Sequence, residues 1–286
     1  MKKLSVKKTK KMKTPISYYG GKQSMVQTIL PLIPRHNLYC EPFFGGGAIF
    51  FAKPPSNVEV INDLNTEVIN FYRVLQNNFT ELRKEVMTTL HSRKQHRQAL
   101  VVYENPEMFT DLKRAWAFWC LSSQSFSAIL NGGWGYDKTA GSLERRLQNK
   151  RDNFVKEYSE RLQRVQIECN DAIKVIASRD SATTFFYVDP PYFNSDKGHY
   201  KDYDIFMFKS LLEALQNARG KFLLSSYPSD ILEEYVKKNG WQQIRIDKRV
   251  AVTHQTKKMK TEVLTANYDI QEVVEMKNLI LSRCAA

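Results

Sequence analysis

A chain of 286 residues has room for one large domain, or for one domain carrying a sizeable insertion. Its apolar and charged fractions, 42% and 26%, are those of an ordinary globular protein, and no apolar run reaches the length of a membrane span or follows the lysine-rich start as a signal peptide requires. Lys and Arg number 43 against 30 Asp and Glu, a net charge of +13 that points to a polyanionic partner. The four cysteines, Cys40, Cys120, Cys169 and Cys284, form no CxxC pair. That spacing argues against a disulfide framework or a zinc site and for reduced thiols in a cytoplasmic protein.

Seven of the positive charges (Lys2, Lys3, Lys7, Lys8, Lys10, Lys11 and Lys13) crowd into residues 1–13 with no acid among them. This predicts a disordered basic arm, suited to loose phosphate contact or serving only solubility. Pro15 to Lys22 reads as a short extended piece ending in the Gly20-Gly21 turn, followed by a helix over Gln23–Leu30 that Pro31 and Pro34 stop. The GxxxxGK[ST] spacing is absent, which excludes a nucleotide triphosphatase loop. Leu38–Glu41 reads as the first core strand and runs through Pro42-Phe43-Phe44-Gly45-Gly46-Gly47 into a helix beginning Ala48-Ile49-Phe50-Phe51. Strand, glycine turn and helix bring backbone amides close to a ligand, but the third glycine of GxGxxG is missing, so a nicotinamide cofactor is poorly supported. Val58–Ile61 is a second strand. Asp63 at its end, about 20 residues past the turn, is placed to accept from ribose hydroxyls, or to cap a helix over Thr66–Leu75. Turn and acid together predict a nucleoside-containing ligand without saying which one.

Residues 76–155 change character and read as an insertion between sheet units. Helical, charged sequence over Leu82–Leu100 leads to the aromatic helix Arg114–Leu121. Ser122–Gly141, rich in Ser, Gly, Asn and aromatics, then reads as a loop or hairpin. Within it Ser122, Gln124, Ser127, Asn131, Trp134, Tyr136 and Lys138 are the candidates for contact with DNA, a purely structural insertion being the alternative. Glu144–Arg164 reads as one basic helical stretch. The sheet returns with Val165–Cys169, ending in Asn170-Asp171. Thr184–Val188, five β-branched or aromatic residues in a row, is a buried strand broken by Asp189-Pro190-Pro191-Tyr192. This sets an acid, a carbonyl and a ring at a carboxyl strand end, where open α/β sheets bind ligands. The alternative is a mere proline turn with Tyr192 packed beneath it. Asn194–Tyr203 reads as a mobile polar loop, Ile205–Asn217 as a helix, Lys221–Ser225 as a strand, and Asp230–Asn239 as a helix stopped by Gly240. Gln242–Asp247 and Thr261–Tyr268 alternate and close the sheet, with Lys248–Lys260 as a basic loop between them.

The order Tyr18-x-Gly-Gly-Lys22, Glu41-Pro42-Phe43-Phe44-Gly45-Gly46-Gly47, Asp63, then Asp189-Pro190-Pro191-Tyr192 resembles the Dam-like DNA adenine-N6 methyltransferases over roughly residues 14–270. Lys260–Tyr268 also looks like that family's closing strand. The resemblance implies an α/β fold: a Rossmann-like class I S-adenosylmethionine-dependent methyltransferase sheet carrying a mainly helical inserted target-recognition domain. The catalytic core would be 14–75 and 156–275, and the insertion 76–155. By position, Tyr18 and Lys22 line the cofactor site with Glu41 and Pro42, Phe43 to Gly47 wrap the methionine portion, Asp63 takes the ribose hydroxyls, and Asp171 contacts the cofactor adenine. Asp189 with Pro190, Pro191 and Tyr192 would hold a flipped adenine in double-stranded DNA. The implied partner is duplex DNA, with no membrane or metal, a monomer or weak dimer, and a cognate restriction endonuclease as an open question. Ser122–Ala128 and Asn131–Trp134 do not match the Arg/Asn-rich hairpin common in members that read GATC, so that target does not follow. Two other readings stand beside this one: a methyltransferase acting on RNA or a protein glutamine, and a non-catalytic DNA-binding protein of the same fold.

Overall fold

The computed structural model describes residues 12–138, 141–194, 203–252 and 256–285. Most of the expected basic arm, and most of the loop expected over Asn194–Tyr203, lie outside them. One seven-stranded sheet organises the chain: β1 (Leu38–Glu41), β2 (Val58–Asn62), β3 (Val165–Glu168), β4 (Thr184–Val188), β5 (Lys221–Ser226), β6 (Gln242–Val252) and β7 (Thr256–Ala266), in the order β3-β2-β1-β4-β5-β7-β6. The first five are parallel, and β7 runs antiparallel between β5 and β6. The order reverses between β1 and β4, so the carboxyl ends of these two neighbours open the crevice in which such sheets bind ligands.

Burial of β4 on both faces explains its unbroken apolar sequence. Phe185 and Tyr187 enter one hydrophobic cluster while Phe186 and Val188 enter the other, the period of two that a pleated strand imposes. The helices cover both faces. In chain order they are α1 (Val26–Ile29), α2 (Ala48–Ala52), α3 (Thr66–Asn77), α4 (Phe79–Thr88), α5 (Arg93–Glu104), α6 (Asp111–Gln124), α7 (Ser142–Asp152), α8 (Glu157–Leu162), α9 (Ala172–Arg179), α10 (Ile205–Asn217), α11 (Asp230–Asn239) and α12 (Ile270–Ala285). Helices α9, α10 and α11 pack on one face through Ile176, Leu212 and Leu232. The other face carries α1, α2, α3 and the inserted helices.

Helix α6 is the axis of the insertion. Ala115 to Ser122 are buried without a break, so this helix is enclosed all round by its neighbours. Trp119 and Phe118 share a continuous cluster with Phe71 and Tyr72 of α3. Arg114 on α6 also makes a forked ion pair with Glu67 on α3. The inserted helices therefore extend the sheet's own hydrophobic core.

Several boundaries differ from expectation. Helix α6 continues through Gln124, so Ser122 and Gln124 are helical and buried, not part of an open loop. Lys248–Lys260 is not a loop: β6 and β7 pair residue by residue from Gln242↔Ala266 to Val252↔Thr256. Alternation that carries no apolar face hides such a strand from a reading based on hydrophobicity. The expected helix over Gln23–Leu30 is a single α turn between two 3₁₀ turns, Lys22–Met25 and Leu30–Leu32. Glu144–Arg164 breaks into α7 and α8, with Phe154 buried at the break. Helix α12 begins before residue 275 and continues past it, tied back by Lys277 Nζ donating to Leu30 O at 2.9 Å. No helix among the described residues is long and apolar enough to cross a membrane.

Candidate active site

At the carboxyl end of β1 the chain turns sharply through Gly45 and Gly47, both with positive φ (47° and 64°). A Cβ on Gly45 would lie 2.8 Å from the Tyr18 ring, and one on Gly47 would lie 2.5 Å from the Phe44 ring. Neither position admits a side chain, on grounds of both conformation and space. The turn is held from β2: Asp63 Oδ2 accepts from Gly45 N at 2.8 Å, and Oδ1 accepts from Asn65 N at 2.9 Å. Burial raises the Asp63 carboxyl above its ordinary value against the pull of these backbone amides. Asp63 thus braces the glycine turn, while the helix cap falls to its neighbour Asn65, whose side chain accepts from Glu67 N. Asn62, fully buried beside it, donates to Pro42 O and Asn170 O and joins three strand ends. Asp171 caps α9 by accepting from Ile173 N and Lys174 N.

Glu41 at the end of β1 is buried and accepts from Tyr39 Oη at 2.5 Å. Burial pushes its carboxyl up to about 8, against the pull of the Tyr39 hydroxyl and Lys53.

The end of β4 forms a compact polar cluster. Lys22, only 5% exposed, sets its Nζ 2.7 Å from Asp189 Oδ1 and 3.5 Å from Glu262 Oε1 on β7. It also donates to Gly20 O at 3.1 Å. The Tyr192 hydroxyl lies 3.0 Å from Glu262 Oε1, 3.3 Å from Asp189 Oδ1 and 2.9 Å from Ser225 Oγ. The Tyr192 ring meets Tyr227 edge-on, with centroids 4.5 Å apart. Burial raises Asp189, Lys22 pulls it down, and Glu262 pushes it up again, leaving it above the ordinary aspartate value. For Lys22 burial works downward, but Asp189 and Glu262 overcome it and the ammonium is held above its usual range.

Every residue that the sequence assigns to the cofactor or to catalysis lines one cavity of about 1070 Å³ at the β1–β4 switch point. That places Tyr18, Lys22, Glu41 to Gly47, Asp63, Asp171 and Asp189 to Tyr192 around a common space. The cavity matches the upper end of small-molecule sites, roughly 300–1,000 Å³. A smaller adjoining cavity lies between Tyr18, Tyr19, Ser127, Tyr227, Lys260 and Glu262, so the inserted segment reaches the mouth of the site.

The DNA-contact candidates divide into two groups. Ser122 donates to Trp119 O, and Gln124 is spent on Leu90 O, Ser92 N and Trp134 Nε1, so both are scaffold. Ser127, Asn131, Tyr136 and Lys138 are exposed. Trp134 is half-buried in a stack between His91 and Tyr136, with Arg93 4.8 Å over its ring. Phe126 is 70% exposed beside Ser127 and Ala128, which both have positive φ. Sequence reasoning missed Glu262, Ser225 and Tyr227. For Glu262 a signal existed: it is an acid in a strand buried on both faces, on the same face as Leu264 and Ala266. Among the described residues no group of three or more His, Cys, Asp or Glu side chains is arranged to hold a metal ion.

Comparison with known proteins agrees with this geometry. The chain is 24% identical over 273 residues to a type II methyltransferase, M1.LlaDCHI, of Lactococcus lactis subsp. cremoris, covering 87% of this chain and 93% of that one. It is 27% identical over 196 residues to a DNA adenine methylase of Vibrio cholerae, covering 64% of this chain and 66% of the relative. The DNA N-6-adenine-methyltransferase of Escherichia phage P1 matches at 27% identity over 60% of this chain but only 23% of its own length. The model of the D12 class N6 adenine-specific DNA methyltransferases matches residues 18–231. RNA, protein glutamine and a non-catalytic role thereby drop out as readings. The chain belongs to the D12 class N6 adenine-specific DNA methyltransferases.

Proposed function

We propose that the cavity takes S-adenosylmethionine against the glycine turn and an adenine flipped out of duplex DNA against Asp189–Tyr192. The observation that carries this is the opening of both motifs onto one cavity at the β1–β4 switch point. The fit to the cofactor rests on the turn: the space a Cβ would fill at Gly45 and Gly47 is closed by Tyr18 and Phe44, so backbone alone faces the ligand. Asp63 has two acceptor oxygens with about four lone-pair sites, and the backbone amides of Gly45, Leu64 and Asn65 leave room for a ribose hydroxyl. Tyr18 and Phe43 to Gly47 would hold the methionine portion, and Asp171 would lie toward the adenine. When bound, the sulfonium supplies an activated methyl group.

The chain's own contribution is to prepare the acceptor. An exocyclic adenine amine is a poor nucleophile because its lone pair is delocalised into the ring. The Asp189 carboxylate and the Pro190 carbonyl accept its two hydrogens, turn the lone pair out of conjugation, and stabilise the positive charge that grows on nitrogen. Pro190 and Pro191 fix that carbonyl, since neither can shift its φ. The Tyr192 ring offers a stacking face for the base. The exposed part of Ser127–Lys138, beside the cavity mouth, reads the DNA sequence. Kinship with type II methyltransferases favours a restriction–modification setting in the cytoplasm, with a cognate endonuclease as partner and the enzyme itself a monomer or weak dimer.

Asp189→Ala tests the reading. Methyl transfer to duplex DNA of mixed sequence falls by about 10²-fold or more, while calorimetry finds donor binding nearly unchanged. Near-normal turnover in that variant, or product methylated on cytosine, overturns it.

A further inference from the structure

Glu262 lies in the closing strand β7, outside the segments assigned to cofactor or catalysis, yet it touches both groups that hold Asp189. Lys22 Nζ and Tyr192 Oη reach Asp189 through the same oxygen, Oδ1, at 2.7 and 3.3 Å. Each of them also reaches Glu262 Oε1, at 3.5 and 3.0 Å. Ser225 on β5 steadies the Tyr192 hydroxyl from a third side at 2.9 Å. The carboxylate of Asp189 cannot rotate without leaving Lys22 and Tyr192 together. Among the described residues no hydrogen bond is made to Asp189 Oδ2, and Asp189 borders the cavity.

We propose that Glu262 is a positioning residue for methyl transfer: through Lys22 and Tyr192 it fixes the Asp189 carboxylate so that Oδ2 faces the amino group of the target adenine. The inference rests on the role given to Asp189 above. It also assigns the Tyr192 hydroxyl a function that a stacking ring alone lacks. Phenylalanine at 192 would keep the ring and drop one of the two ties from Glu262 to Asp189.

Glu262 has two effects on Asp189, of opposite sign. Its contacts hold the carboxylate in place, whereas its negative charge makes Asp189 harder to ionise. Glu262→Gln keeps the shape and removes the charge. A loosened Asp189 lowers the plateau of the transfer rate, while the lost repulsion moves the acid limb of its pH profile to lower pH. Lys22→Met also lowers the plateau but moves the limb to higher pH, because the attraction that favours the ionised form is gone. The other groups facing Asp189 are Glu41 on β1, its carboxyl raised by burial, and Tyr187 on β4. Lys260, Tyr19 and Tyr227 line the smaller cavity beside Glu262. All of them are unchanged in both variants.

The test is single-turnover methyl transfer on saturating duplex DNA from about pH 5 to about pH 9, with carboxyl-carbon NMR of labelled aspartate following Asp189 in DNA-free protein. Donor affinity is measured by calorimetry and folding by thermal melting. Glu262→Gln is expected to lose about 10²-fold in plateau rate, the order that a misplaced catalytic group costs, with donor affinity within about twofold of wild type. The NMR titration of Asp189 should move in the same direction as the kinetic limb. A wild-type plateau overturns the inference, and so does a lowered plateau with the acid limb unmoved, which is the signature of loosened packing alone. Should Glu262→Gln fail to fold, Glu262→Asp carries the decision: it keeps the charge but shortens the reach to Lys22 and Tyr192, so a lowered plateau is expected and a wild-type plateau overturns the inference. The Asp189→Ala control keeps the two readings apart: if it stays active the assignment of Asp189 falls, whereas a wild-type Glu262→Gln beside an inactive Asp189→Ala sinks only the role of Glu262.

Discussion

Asp63 braces the glycine turn and, in the proposed complex, would also meet the ligand. Both of its oxygens already accept backbone amides, one of them from the glycine turn itself. Asp63→Ala is therefore expected to weaken S-adenosylmethionine by roughly 1–3 kcal/mol, through a lost charge-assisted acceptor and a slackened turn. Calorimetry giving wild-type affinity would remove Asp63 from the site. Asp63→Asn, which keeps one acceptor oxygen, should lose less than Asp63→Ala. The residues at strand ends were legible because their chemistry is local: prolines must end β4, and glycines must form the turn after β1. Glu262 showed in the sequence only as an acid among the apolar residues of a strand; its partners were not legible, because they depend on β7 lying beside β5, a pairing between residues far apart in sequence.

At the scale of elements, the insertion was legible as helices but not as a fold. Ser122 and Gln124 look like loop polars by composition. They are buried because α6 runs one turn further and Gln124 spends its amide on the chain around it. What remains exposed is a short tip, Phe126 to Lys138, held at its base by the Ser125↔Trp134 bridge and the His91–Trp134–Tyr136 stack. Exchanging residues 126–132 and 136–138 while keeping Gln124, Ser125 and Trp134 should change the methylated sequence and leave donor binding intact. Single-molecule sequencing of DNA from cells expressing the exchange reads the outcome directly. An unchanged methylated sequence would move base recognition elsewhere, with the β6–β7 hairpin as the next place to look.

Over the whole molecule the decisive quantity is charge. A net +13 makes binding to DNA strongly dependent on salt, since each phosphate neutralised releases a counterion. Removing residues 1–13, with their seven lysines, should weaken binding to all duplex sequences alike and flatten the plot of affinity against salt, without altering which sequence is methylated. Titration of fluorescent duplexes at several salt concentrations measures this, and an unchanged slope would mean that the arm makes no phosphate contact.

The placement of β7 has a consequence for how the enzyme comes into being. The strand is the last of the seven in the chain, yet it sits between β5 and β6 in the sheet. While the ribosome is still making it, β5 has an open edge and β6 has nothing to pair with. Lys22 and Asp189 have by then both been synthesised, but the acid that ties them together has not. The nascent chain can thus fold its glycine turn long before it holds a finished acceptor site. Competence to methylate DNA would arrive late, with the insertion of a single strand.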